Sequence, residues 1–186
     1  METIRKGGWQ CWVDIYSDYV IKTPKTRKEI SKTIKRYLDS IGKPDELKDR
    51  VNKIIKDVKD STKIIKSSKI PKKLLAFPKF LSRGKINQKR VIVLDEKFDE
   101  LLEENRKKEV KQLIDKSIVL LIELWKYELH EKTFKFYSNL GLLNNEVVLI
   151  DFLELTNKKE KVEKQIKNKG WKHLEKIKKD FAPEVI

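Results

Sequence analysis

Two polar residues flank a short apolar hairpin late in the chain, and both carry oxygen atoms that suit a divalent cation. Asn139 stands just before the hairpin, and Asp151 follows its second strand, the apolar run 147–150. A strand buried on both faces delivers the residue at its end rigidly. Divalent cations prefer oxygen ligands held in this way, and phosphate oxygens can complete the sphere. The pattern also fits an ordinary hairpin whose Asp and Asn cap turns.

The N-terminal residues predict a small sheet with a second set of candidate residues. Gly7 and Gly8 separate two strand-like runs, 2–5 and 11–16, and a third run ends at Lys22. Glycine pairs suit tight turns because they accept positive φ. The alternative for this region is a plain sheet edge with a solvated lysine, since the chain is rich in lysine.

The order of the glycine pair, the strand lysine, the Asn and the Asp resembles the protein-kinase-like superfamily. Val20-Ile21-Lys22 is similar to the kinase strand whose lysine holds the α- and β-phosphates of ATP. Asn139 matches the asparagine that closes the kinase catalytic loop, and Asp151 matches the start of the Asp-Phe-Gly motif. The resemblance implies that Lys22 and the turn at Gly7-Gly8 contact ATP, and that Asn139 and Asp151 hold Mg²⁺.

The chain departs from the kinase pattern at the glycines and in its length. Leu153 replaces the glycine of Asp-Phe-Gly, and the Gly7-Gly8 pair is shorter than the kinase Gly-rich loop. Only the residues from 152 to 186 follow Asp151. This is less chain than the activation segment and substrate helices of a signalling kinase require, so the resemblance implies a minimal or degenerate kinase-like domain.

The expected general base is also missing from its usual position. Kinases place an aspartate five residues before the loop asparagine, to accept the substrate hydroxyl proton. In this chain Phe134 stands five residues before Asn139. Glu131 is the nearest acid and is the candidate catalytic residue, while Lys132 and Lys135 are candidates for stabilising phosphate.

Two helices are predicted after the N-terminal strands. The first covers 26–41, where Thr26 can cap the helix and Glu29 completes a capping box. The second covers about 45–67, with apolar residues at a 3.6-residue period. By resemblance it takes the place of the kinase helix that supplies an acid to the strand lysine. Three residues are candidates for that acid: Glu46, Asp57 and Asp60.

The middle of the chain predicts one strand and one long helix. The segment 86–94 contains a short strand over 91–94 that ends at Asp95. In kinase order this strand enters the hinge that binds adenine, and a linker or charged helix over 98–109 follows it. The long helix covers 110–129, and two closing helices cover 158–169 and 171–181. One side of the long helix is expected to carry Leu113, Ile114, Ile118, Leu121, Ile122 and Trp125.

These elements predict an α+β, protein-kinase-like, two-lobe fold. Residues 1–94 form an N-lobe-like small antiparallel sheet with helices, and residues 95–186 form a reduced helical C-lobe that contains the catalytic-loop-like hairpin. The expected cofactors are ATP and Mg²⁺. The expected function is that of a kinase-like ATP-binding protein, either a minimal phosphotransferase or a pseudokinase.

Composition narrows the remaining classes of protein. The chain has 186 residues, of which 39% are charged, well above the usual share of about a quarter. The single Cys11 excludes an intramolecular disulfide and a Cys-based zinc site. The polar N-terminus resembles no signal peptide, and no apolar run approaches the roughly 20 residues of a membrane span. A cytoplasmic protein is expected.

The net charge of +15 leaves two other functions open. One is a basic nucleic-acid-binding protein without catalysis. However, acids interleaved with the lysines at helical spacing usually indicate a solvated helix face, and no RNA-binding signature is present. The other is an interaction scaffold that keeps a kinase-like fold without binding nucleotide.

Overall fold

A five-stranded antiparallel sheet carries the N-terminal candidate residues. The computed structural model describes residues 3–132 and 136–168. The strands of this sheet are β1 Ile4–Gly7, β2 Cys11–Ile15, β3 Tyr19–Pro24, β4 Lys79–Phe80 and β5 Ile86–Lys89. They lie in the order β1-β2-β3-β5-β4, and every neighbouring pair is antiparallel. The three predicted N-terminal strands are therefore consecutive neighbours in one sheet.

Two helices, α1 (Arg27–Ser40) and α2 (Leu47–Ser67), connect β3 to β4. The predicted capping box is confirmed: Thr26 Oγ1 accepts from Glu29 N at 3.3 Å, and Glu29 Oε2 accepts from Thr26 N at 2.8 Å. The chain leaves α1 through Gly42, whose φ of 70° favours glycine. The predicted bounds of both helices agree with the structure within the usual uncertainty of helix ends.

The α1–α2 pair encloses a small hydrophobic cluster of its own. The cluster consists of Ile30, Ile34, Leu38, Val51 and Ile54. These side chains recur at intervals of three or four residues on each helix, so each helix presents one apolar stripe to the other. Burial of such a side chain contributes about 1.5–3 kcal/mol, which holds the two helices together as a unit.

The second part of the chain alternates short strands with helices. Its elements are β6 Ile92–Val93, α3 Leu94–Glu103, α4 Lys107–Trp125, β7 His130–Glu131, α5 Phe136–Asn139, β8 Leu140–Leu143, β9 Glu146–Leu149, β10 Leu155–Thr156 and α6 Lys159–Lys167. Strands β6, β8 and β9 form a three-stranded sheet, and β7 pairs with β10. The chain thus has the predicted α+β class, with a small antiparallel sheet.

One large hydrophobic cluster runs through both parts of the chain. It joins Cys11 and Ile86 of the first sheet to Leu124, Leu149 and Phe152. The boundary predicted at residue 94 therefore does not separate two independent cores. The division into two lobes stays a prediction. The predicted helix over 171–181 lies outside the described residues.

The apolar side expected for the long helix is only partly buried in the structure. Ile118, Ile122 and Trp125 of α4 are exposed, at 49%, 49% and 47%. The buried residues of α4 are Val110, Leu113, Ser117, Leu120 and Leu124. Apolar residues occupy most sides of this helix, so its periodicity alone does not select the buried face. The neighbouring elements select it, and they bury the stripe that includes a serine.

The strand expected at 91–94 is present as β6 but covers only Ile92–Val93, and a separate strand, β5, precedes it. Strand β5 belongs to the five-stranded sheet, whereas β6 pairs with β8. Leu94 begins α3 instead of ending a strand. The following segment, expected as a linker or charged helix, is divided between the end of α3 and the start of α4.

The β8–β9 hairpin has the predicted turn and a close contact that requires glycine. Asn144 and Asn145 form the turn at φ values of 52° and 64°, a conformation that asparagine tolerates better than most residues. At Gly141, an added Cβ would lie 2.4 Å from Val91 Cγ2 and 3.0 Å from the Ile92 carbonyl oxygen. A side chain at this position would prevent β6 from pairing with β8.

Charged residues of the helices pair along exposed faces, as their spacing predicts. Lys35 bonds Asp39 at 2.8 Å, and Lys111 bonds Asp115 at 3.0 Å. Exposed pairs of this kind contribute little stability. In the described part of the chain, no helix is long and apolar enough to cross a membrane.

Because of the capping box of α1, we expect the stability of the fold to fall as the pH is lowered through the acidic range. Hydrogen bonds from the Thr26 backbone and the Trp12 side chain lower the pKa of Glu29 to about 2, so its charged form stabilises the fold. This contribution is complete above the ordinary pKa of about 4.5 and disappears as pH falls towards 2. Glu29→Gln should lower the melting temperature at pH 7.

Melting curves of wild type and Glu29→Gln over pH 2–7 test this linkage. The difference between the two proteins should shrink as pH falls below about 4.5. A difference that stays constant down to pH 2 would show that the charge of Glu29 does not contribute.

Candidate functional site

A cleft of about 220 Å³ lies where the five-stranded sheet meets the β8–β9 hairpin. Four of the predicted site residues line it, namely Gly8, Lys22, Asn139 and Asp151. The other lining residues are Trp9, Gln10, Cys11, Val13, Ser138, Leu153 and Glu154. The structure thus brings together residues that the sequence separates by more than a hundred positions.

The backbone places Asn139 and Asp151 next to each other. The Asn139 carbonyl oxygen accepts hydrogen bonds from the N–H of Ile150 at 2.9 Å and from the N–H of Asp151 at 3.1 Å. Asp151 Oδ1 in turn accepts from the N–H of Leu153 at 3.4 Å. The two candidate metal ligands are therefore held by the two ends of one hairpin, as their positions in the sequence predict.

Lys22 reaches the same place from the other sheet. It lies in β3 between Val13 of β2 and Ile86 of β5, so its backbone is held from both sides. Its ammonium donates to the Ile150 carbonyl oxygen at 2.6 Å and lies 5.8 Å from the centroid of the Phe152 ring. The positive charge is thus directly beside the peptide that precedes Asp151.

Each acid proposed to pair with Lys22 bonds another residue instead. Glu46 bonds Lys43 at 3.1 Å, and Asp60 bonds Lys56 at 2.6 Å. Asp57 bonds Lys132 at 2.7 Å, so the ammonium of Lys132, a candidate for phosphate, is already paired with α2. The sequence did not show how α2 is rotated about its axis, and that rotation decides which side chains face the cleft.

The contact between α2 and the segment after Asp151 is made by a serine. Ser61 is fully buried. Its hydroxyl donates to the Leu155 carbonyl oxygen at 3.1 Å and accepts from the Leu155 N–H at 3.0 Å. These two hydrogen bonds to the backbone of Leu155 fix α2 against β10. They therefore stabilise the segment that follows Asp151.

The glycine turn between β1 and β2 is anchored rather than open. The N–H of Gly8 donates to the Cys11 carbonyl oxygen at 3.0 Å, so this donor is already used within the turn. Lys25 bonds the Gly8 carbonyl oxygen through its ammonium and the Gln10 carbonyl oxygen through its backbone N–H. The Lys25 ammonium also lies 4.2 Å from a Trp12 ring centroid.

Gly7, the other predicted cofactor-binding glycine, is not among the residues that line the cleft. A Cβ at this position would lie 2.6 Å from Cζ3 of Trp12. The absence of a side chain at Gly7 therefore allows Trp12 to cover the strand.

Glu131, the candidate catalytic residue, lies behind Asn139. It is only 5% exposed, and its Oε1 accepts from Asn139 Nδ2 at 3.1 Å. It is not among the lining residues of the cleft, and its hydrogen bond orients the Asn139 amide. Phe134 and Lys135 lie outside the described residues.

Sequence reasoning missed four polar residues of the cleft, namely Gln10, Cys11, Ser138 and Glu154. Gln10 Nε2 donates to Glu154 Oε1 at 3.1 Å, which joins the glycine turn to the segment after Asp151 across the cleft. Cys11 is buried beside them. Glu154 lies three residues after Asp151, and this spacing belongs to no pattern that the sequence offered.

The cleft supplies few ligands for a metal by itself. Among the described residues, no group of three or more His, Cys, Asp or Glu side chains is placed to hold a metal ion. Asp151 can supply carboxylate oxygens and Asn139 an amide oxygen. A hard cation such as Mg²⁺ needs about six oxygen ligands and usually keeps waters or substrate phosphates among them. Asp151 and Asn139 could therefore supply only part of the coordination sphere of such a cation.

No family model, curated protein or solved structure matches this chain. The geometry of the cleft is therefore the basis for any functional assignment.

We expect the Cys11 thiol to react slowly at neutral pH. Burial raises its pKa to about 11, although Lys22 acts in the opposite direction. Only the thiolate is nucleophilic, and at pH 8 on the order of one thiol in a thousand is ionised at this pKa. Alkylation by iodoacetamide, followed by mass spectrometry, should accelerate with each pH unit up to about pH 11. A rate that levels off near pH 9, as for an unfolded control, would contradict burial of this thiol.

Proposed function

We propose that the protein is a kinase-like ATP-binding protein whose cleft holds the phosphates of ATP together with Mg²⁺. The convergence of Lys22, Asn139 and Asp151 on one cleft is the observation that carries this proposal. A turn-capping role would account for Asp151 alone. It would not account for a strand lysine that reaches the same peptide from another sheet.

The charges of the cleft suit a magnesium–phosphate complex. The Asp151 carboxylate attracts the cation, and the Lys22 ammonium attracts phosphate oxygens. Catalysis and binding in phosphoryl transfer depend mainly on positioning and electrostatic stabilisation. The hydrogen bonds around Asn139 and Ile150 provide this positioning, because they fix the backbone from which both ligands project.

The cleft has to open to admit a whole nucleotide. Its volume of about 220 Å³ is below the roughly 300–1,000 Å³ of typical ligand sites. The hydrogen bond between Gln10 and Glu154 crosses it, and the Glu154 carboxylate would repel phosphate. We therefore infer that this arrangement is a closed form, and that nucleotide separates the glycine turn from the segment after Asp151.

We expect any phosphoryl transfer by this protein to be slow. Glu131 is buried behind Asn139, so it is placed to orient a metal ligand rather than to accept a proton from a substrate in the cleft. The proposal is therefore a pseudokinase or a slow phosphotransferase rather than an efficient protein kinase.

Thermal unfolding tests the nucleotide site. A ligand that binds only the native state adds about 2.7 kcal/mol at a hundredfold excess over its Kd, which raises the melting temperature of a chain of this size by roughly 5–10 °C. Mg²⁺–ATP should stabilise wild type, and Asp151→Asn should lose most of the shift. Asp45→Asn, a matched change at an exposed helix-start residue, should keep it.

Two outcomes of this experiment would contradict the proposal. Equal shifts in wild type and Asp151→Asn would exclude Asp151 as a metal ligand. If wild type shows no shift, the protein is better explained as an interaction scaffold that does not bind nucleotide.

Phosphoryl transfer should be close to background. General-base assistance is typically worth about 10²–10⁴-fold. Glu131, the candidate base, is buried and does not line the cleft, and the Glu154 carboxylate in the cleft accepts a hydrogen bond from Gln10. Purified protein would be incubated with labelled ATP, Mg²⁺ or Mn²⁺ and a generic protein substrate. Robust transfer that vanishes in Asp151→Ala but survives Glu131→Ala would show that the enzyme is active and that its base lies elsewhere or is unnecessary.

A further inference from the structure

The positive charge of the chain is concentrated in one stretch of sequence. Residues 61–90 contain ten Lys or Arg residues and no Asp or Glu, whereas residues 91–186 carry no net charge. The interleaving of acids and bases that explains the helix surfaces elsewhere is therefore absent from this stretch. A run with a single sign of charge needs an explanation of its own.

These cations stand on adjoining elements of the fold. The stretch covers the end of α2, strand β4 and strand β5. The Lys66 ammonium lies 5.0 Å from the centroid of the Phe80 ring, so the end of α2 adjoins β4. Within residues 3–132 and 136–168, none of the ten cations forms an ion pair. Lys85 lies close enough to Asp14 to help lower the pKa of that carboxyl group.

Part of this charge lies on the face of the sheet that points away from the cleft. Tyr19 pairs directly with Lys89, and Lys79 pairs with Asn87. Side chains alternate between the two faces of a strand, so Lys79, Lys89 and Tyr19 share one face. Lys22 is three residues from Tyr19 and therefore points to the opposite face, where it lines the cleft.

Aromatic rings lie among these cations. Tyr16 and Tyr19 stack with centroids 4.5 Å apart and an interplanar angle of 16°. The Lys89 ammonium lies 5.0 Å from the centroid of the Phe77 ring. Tyr19 is 37% exposed and Phe77 is 41% exposed. Exposed flat rings beside cations are the two components with which proteins hold single strands: stacking on bases and attraction of phosphates.

We propose that this outer face of the first sheet, formed around Tyr19, Phe77, Lys79 and Lys89, binds single-stranded nucleic acid. The lysines attract the phosphates and the rings stack on bases. A duplex keeps its bases stacked inside and would leave the rings unused, which favours a single strand. This surface is separate from the nucleotide cleft, and its function does not depend on that of the cleft.

Fluorescence anisotropy with a labelled 15-nucleotide RNA of mixed sequence tests the surface. Tyr19→Leu/Phe77→Leu keeps the apolar volume but removes the rings, and it should weaken binding about tenfold or more, since one stacked base is worth roughly 5- to 150-fold. Lys79→Gln/Lys89→Gln should also weaken binding. It should reduce the slope of log Kd against log salt by about 1.4, because each contact to a single-stranded phosphate contributes about 0.7.

Matched variants on another surface serve as controls. Lys107→Gln/Lys108→Gln removes two exposed cations at the start of α4, and Trp125→Leu removes an exposed ring. Both should bind RNA like wild type, and so should Asp151→Asn. Melting temperatures measured on every variant identify any that fail to fold, and these are replaced by the single changes Tyr19→Leu and Lys89→Gln.

Three results would overturn the proposal. Unchanged RNA binding in folded Tyr19→Leu/Phe77→Leu would show that the rings do not stack on bases and that the RNA is held by nonspecific charge attraction. Equal loss in the α4 controls would place the binding elsewhere. Binding to phosphatidylserine vesicles without binding to the RNA would identify a membrane surface instead.

Discussion

The arrangement of the cleft depends on one backbone oxygen. The carbonyl of Asn139 accepts the N–H groups of both Ile150 and Asp151, so the start and the end of the hairpin meet at a single point. The peptide unit between Ile150 and Asp151 also accepts a hydrogen bond from the Lys22 ammonium through its carbonyl oxygen, that of Ile150. Two consecutive peptide units thus hold together the loop asparagine, the strand-end aspartate and the lysine of the other sheet. Side chains alone would not keep residues so distant in sequence at these positions.

Sequence pattern was sufficient where the signal is local. The capping box of Thr26 and Glu29, the turn at Asn144 and the delivery of Asp151 by a buried strand all follow from neighbouring residues, and the structure contains each of them. The convergence of Lys22 on the hairpin came from the order of motifs, which the resemblance to kinases supplied. It could not have come from the periodicity of any single element.

Sequence pattern failed where the answer depends on how a helix is rotated. The apolar residues of α4 offer more than one stripe, and the structure buries the stripe with Ser117 and leaves Ile118 and Ile122 exposed. The prediction that an acid of α2 pairs with Lys22 was wrong for the same reason, since Asp57 pairs with Lys132. Gln10 and Glu154 were missed because their hydrogen bond joins two segments that no motif connects. Tertiary packing decides such contacts.

Diffraction from crystals grown with Mn²⁺ and a non-hydrolysable ATP analogue tests the central claim most directly. Manganese replaces magnesium and is located by its anomalous scattering. The account predicts one metal peak at coordination distance from the Asp151 carboxylate and the Asn139 amide oxygen, with the Lys22 ammonium moved from the Ile150 carbonyl to a phosphate oxygen. Nucleotide bound at another surface, or a cleft that keeps the Lys22–Ile150 hydrogen bond and contains no metal, would contradict it.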